Sequence, residues 1–91
     1  MSELIAATTA AATSADFTLA AGESATVFMT DGNGGSVFGQ AEVQIKSASG
    51  QYFTVPGGTL NASNGGVKIT AAGTYRVVKW ASQEATGVDK V

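Results

Sequence analysis

Hydrophobic positions recur with a period of two along most of the chain. Val67 and Ile69 alternate with Lys68 and Thr70, and beyond a turn at Ala71, Ala72 and Gly73, Tyr75 and Val77 flank Arg76. That period sends successive side chains to opposite faces, the mark of a half-buried strand. The cleanest case is Val43 and Ile45 set against Glu42, Gln44 and Lys46. Phe17 and Leu19 share a face before a turn at Ala21 and Gly22, and a strand over residues 25–30 follows with Val27 and Met29 inward. The two read as a hairpin. Ser49 and Gly50 turn the chain into residues 51–55, with Phe53 and Val55 inward and Tyr52 outward. Pro56, Gly57 and Gly58 then end the strand, because Pro lacks an amide donor and Gly allows positive φ. A short strand near Leu60 leads to Asn64 and Gly65, a type I′ hairpin signal that delivers the chain into Val67. Residues 81–86 are indistinct, and 87–91 read as a last, short edge strand.

The pattern predicts seven or eight short strands and no long helix, hence an all-β fold: a small antiparallel β-sandwich of jelly-roll or immunoglobulin-like order. Residues 14–91 form that single domain. Residues 1–13, rich in Ala and Thr, read as an extended arm, either draped on a partner or plainly disordered. Residues 31–40 hold four glycines and form a loop, whose apolar pair Val37 and Phe38 either folds over the core or meets another chain. The phrase A-A-G-T-Y-R-V fits a tyrosine corner, in which the Tyr75 hydroxyl bonds to upstream backbone as the chain crosses between sheets.

Some apolar residues fall out of phase with the inward set. Phe28, Tyr52, Val78 and Trp80 lie on the wet faces of their strands, and Phe38 joins them in the glycine-rich loop. A bulge near Val77 and Val78 would return Trp80 to the core. Alternatively the set forms a subunit or capsid interface, where aromatics are enriched, or a stacking platform for sugars.

Composition narrows the function. The apolar fraction is 44%, but sixteen of those residues are Ala, so the core is thin and self-association is a natural supplement. With no His and no Cys, the nucleophile–base pairs of hydrolases and the usual zinc ligands are missing. The carboxylates sit in turns or on wet faces, so no enzyme and no cofactor is expected. Asp31, Asn33 and the glycines around them resemble the start of a calcium loop without its twelfth-position Glu, and turn formation explains them better. Five basic residues against seven acidic ones leave no stripe for nucleic acid. No apolar run is long enough to span a membrane as a helix, and Glu3, Thr8 and Thr9 spoil a secretory-signal reading of the first residues.

Four phrases add a likeness. S-A-D-F-T-L-A-A-G-E-S-A-T-V-F-M-T, E-V-Q-I-K-S-A-S-G-Q-Y-F-T-V, A-A-G-T-Y-R-V-V-K and G-V-D-K resemble small virion proteins of tailed bacteriophages. The resemblance implies a capsid decoration or cement protein: a small β-sandwich, often trimeric, located in the virion and bound to the major capsid protein lattice. A carbohydrate-binding or adhesive module is the alternative reading.

Overall fold

The computed structural model describes residues 2–30, 39–61, 63–82 and 85–91. Nine strands and no helix occur among them: β1 (Ser2–Thr8), β2 (Ala12–Thr13), β3 (Phe17–Leu19), β4 (Ala25–Thr30), β5 (Ala41–Lys46), β6 (Tyr52–Leu60), β7 (Gly66–Ile69), β8 (Gly73–Lys79) and β9 (Thr86–Lys90). They form two antiparallel sheets. Sheet A has the order β1-β9-β4-β7; sheet B has β2-β8-β5-β6, with β3 following β2 along the same edge of β8. The fold is a small β-sandwich.

Its core lies between the sheets, where Val27, Val43, Leu60, Val77 and Val88 expose no surface and Tyr75 exposes 1%. Burying each such side chain contributes roughly 1.5–3 kcal/mol. The alternation read from the sequence is present in β4, β5, β7 and β8, with Val27, Met29, Val43, Ile69, Tyr75 and Val77 buried. Ile45 and Val67 are half-buried, because they line the open side of the sandwich.

The tyrosine corner is present. The chain leaves sheet A at β7 and enters sheet B at β8, and the Tyr75 hydroxyl donates to the Ala71 carbonyl at 2.8 Å. Phe17 stacks on the same ring at a centroid distance of 5.8 Å.

Several expectations are corrected by the observed strand pairing. In place of an arm, Ser2–Thr8 is the outer strand of sheet A, paired with β9. The turn at Ala21 and Gly22 is real, with Gly22 at φ 85°, but it is not a hairpin. β3 pairs with β8 while β4 pairs with β7 and β9, so the turn changes sheets. Pro56, Gly57 and Gly58 do not end a strand. Glu42 pairs with Thr59 and Gln44 with Thr54, so residues 55–58 swell into a bulge within β6. A proline is tolerated there because β6 is an edge. Asn64 and Gly65 do not make a type I′ turn, since no described non-glycine residue has positive φ. Asn61 and Asn64 close the turn by exchanging backbone bonds, and the Asn61 side chain accepts from the Ser63 and Asn64 amides at 2.9 and 3.0 Å. The last strand is not an edge: β9 lies between β1 and β4. Phe53 has the inward parity of its partner Ile45 yet is 54% exposed, because it sits on an edge strand beside the sandwich's open side. Residues 31–38 of the glycine-rich loop, which include Phe38 and the Asp31-to-Gly35 stretch, lie outside the described residues.

Candidate interaction face

β8 builds the centre of sheet B's outer face. Its pairing with β5 runs without interruption from Ala41 opposite Lys79 to Ile45 opposite Tyr75. Parity therefore holds along the strand: Tyr75, Val77 and Lys79 are buried, whereas Thr74, Arg76 and Val78 face out and Trp80 follows them. The bulge that would return Trp80 to the core is absent, and Trp80 is 42% exposed. Outward residues on one strand succeed each other at about 6.6 Å. Register sets Val78 between Thr13 of β2 and Glu42 of β5, and Arg76 beside Gln44. The Trp80 amide is anchored by the Gln40 carbonyl at 3.0 Å.

Tyr52 reaches this face from β6. Its hydroxyl donates to the Asp16 carboxylate, 2.9 and 2.8 Å from the two oxygens, although Asp16 lies on the far edge between β2 and β3. The phenol is a strut across the sheet. That hydrogen bond, followed by desolvation and by the Asp16 charge, pushes the Tyr52 pKa up, with Arg76 opposing. The Arg76 guanidinium carbon stands 3.5 Å from the Tyr52 ring centroid, and its Nε donates to Gln44 Oε1 at 2.9 Å. Gln44 in turn donates to Glu42 at 3.2 Å.

Of the five residues expected at an interface, the structure gathers Tyr52, Val78 and Trp80 on one face. Phe28 is parted from them: it is half-buried on the outer face of sheet A, opposite Gly66 and Asp89. Gly66 packs closely there, since a Cβ on it would lie 3.3 Å from the Phe28 Cβ. The face also recruits Asp16, Gln44 and Arg76, which period-two reading marks only as wet. Nothing local in the sequence announces the Asp16–Tyr52 bond, which joins residues 36 positions apart. As a sugar platform the face is limited, because Arg76 occupies one side of the Tyr52 ring.

Two other features lie apart from this face. A cleft of about 260 Å³ opens at the side of the sandwich among Ile45, Val55, Pro56, Val67 and Ile69. At the end near Trp80, Lys79 is buried to 1% exposure and its Nζ donates to Thr8 O, Thr8 Oγ1 and Thr86 O at 2.9, 3.0 and 2.7 Å. Burial lowers its pKa. Strand parity with Tyr75 and Val77 is the signal that places Lys79 inside.

No protein-family model matches the chain, and neither a curated protein nor a solved structure matches it.

Proposed function

We propose that the chain is a non-enzymatic structural protein of a bacteriophage virion, a decoration or cement protein that self-associates and binds the major capsid protein lattice. The observation that carries this reading is the outward row along unbulged β8, in which Arg76, stacked on Tyr52, is followed by half-buried Val78 and then by exposed Trp80. Trp, Tyr and Arg are the residues that dominate binding energy at protein interfaces. The phrases resembling small tailed-phage virion proteins supply the identity of the partner. The threefold symmetry that the resemblance implies is part of the proposal.

Trp80→Ala tests it. Because Trp80 is 42% exposed, removing it should change folding stability by no more than about 1 kcal/mol. Association should weaken by at least about tenfold, as for loss of an interface anchor. Sedimentation across a concentration series and mass spectrometry of purified virions provide the two readouts. A strict monomer at high concentration, together with virions that lack the protein, would overturn the reading.

A further inference from the structure

We propose that Arg76 is a pre-organised receptor for a carboxylate, and that the partner of this face presents an Asp or Glu side chain beside apolar residues. The inference rests on the outer face of sheet B being a protein-docking surface, and names what that surface recognises.

Two contacts hold the guanidinium in place, and a third interaction braces one of them. Its Nε is committed to Gln44 Oε1 at 2.9 Å, its central carbon stands 3.5 Å from the centroid of the Tyr52 ring, and that ring is tied through its hydroxyl to Asp16. The two Nη groups make no hydrogen bond among the described residues. They are not sealed in the protein either, since no buried side-chain nitrogen among those residues lacks a partner. The nearby acids are otherwise engaged, Asp16 by Tyr52 and Glu42 by Gln44, and neither pairs with Arg76. What remains is a held fork of donors that forms no ion pair among the described residues. A planar fork of that kind suits a carboxylate, which accepts two parallel N–H bonds.

The surroundings sharpen the choice. Val78 and Trp80 follow Arg76 on the same face at strand spacing, so a partner covering the apolar pair also covers the guanidinium. A partner without an acid would bury an unpaired charge, a heavy penalty that selects against it. Charge and apolar surface therefore call for one epitope: an acidic residue flanked by large apolar ones.

The test uses isotope-labelled full-length chain and two acetylated, amidated peptides, Gly-Glu-Leu-Phe-Gly and its Gln counterpart, titrated to about 10 mM, where a millimolar Kd saturates. Resonances of Arg76 Nε–H and Trp80 Nε1–H report the two halves of the site. The Glu peptide should move both together, and the Gln peptide should bind about tenfold more weakly. Arg76→Lys, which keeps the charge and loses the fork, should erase most of that discrimination while the Trp80 shift persists. Tyr52→Phe, which frees the ring from Asp16, should reduce it in part. Equal affinity for the two peptides would overturn the carboxylate assignment and leave docking intact. Sodium sulfate moving Arg76 as far as the Glu peptide does would also overturn it, marking an unselective anion site. If neither peptide moved Trp80, the docking reading would fall and this inference with it.

Discussion

Lys79 poses the sharpest question at the level of single residues. It is one of four lysines in the chain, and it is buried in the sandwich with no carboxylate bonded to it among the described residues. Its three donors are matched by three oxygens from sheet A strands, so the ammonium clips the end of β1 and the start of β9 to β8. Desolvation nevertheless wins, and the pKa is lowered. Between that folded value and about 10.4 for a free lysine, the unfolded chain binds more protons, so stability should rise with pH through that window. Tyr52 acts in the opposite sense, because its folded pKa is raised. Above about pH 10 the unfolded chain loses its phenolic proton first, and stability should fall. Urea unfolding from neutral to alkaline pH should therefore show a climb and then a decline. Lys79→Met should flatten the climb, and Tyr52→Phe should soften the decline. An unchanged climb in Lys79→Met would clear the buried ammonium of responsibility.

Among the elements, β1 shows where local pattern stops being informative. Ser2–Thr8 has weak alternation and much alanine, so nothing in it distinguishes a strand from an arm. Its place is set by β9, whose Gly87 lets the two backbones approach. A Cβ at Gly87 would lie 2.8 Å from Ile5 O and 2.9 Å from Ala7 N. The register shifts twice along the pair, so β1 is a bulged edge, a form that discourages pairing with other chains. Gly87→Ala should cost about 1–3 kcal/mol as an overpacking change. Hydrogen exchange should show the amides of Leu4 to Ala7 losing protection first, with β5 and β8 largely unaffected. Uniform loss across both sheets would show instead that β1 is inseparable from the core. The same contrast explains what was legible elsewhere. Period two gave the inward sets of β4, β5 and β8, and the Tyr75 phrase gave the sheet crossing, since those signals are local. Pairing partners are not local: the turns at Gly22 and at Asn61 to Asn64 look like hairpin turns, and both join strands of different sheets. Tyr52, Val78 and Trp80 were legible as a face because they break phase. Arg76 and Asp16 were not, because charges on a wet face look alike until something is seen to hold them still.

At the level of the whole molecule, size limits what one face can do. The radius of gyration is 12.3 Å, as a compact chain of this length should have. Sheet B is four strands wide, and β8 is its seven-residue centre. At about 4.8 Å per strand and 3.4 Å per residue, the outer face spans roughly 450 Å². A stable pairwise complex usually buries about 800 Å² on each partner. Used singly, the face should therefore bind weakly, with hot-spot residues but little area. A structural protein that self-associates escapes this limit by presenting several such faces to a repeating lattice. Linked contacts of that kind can raise apparent affinity by about 10²–10⁴ without any new interaction. On the proposed capsid role, the expected outcome is a steep difference between two targets: weak, rapidly reversible binding to isolated capsid subunits, and slow dissociation from assembled shells. Surface plasmon resonance on subunits and co-sedimentation with shells would measure it. Trp80→Ala should weaken both, and should be disproportionately damaging on shells, because each lost increment is multiplied across the linked faces. Equal affinity for subunits and shells would mean that the face works alone, and that self-association adds nothing to attachment.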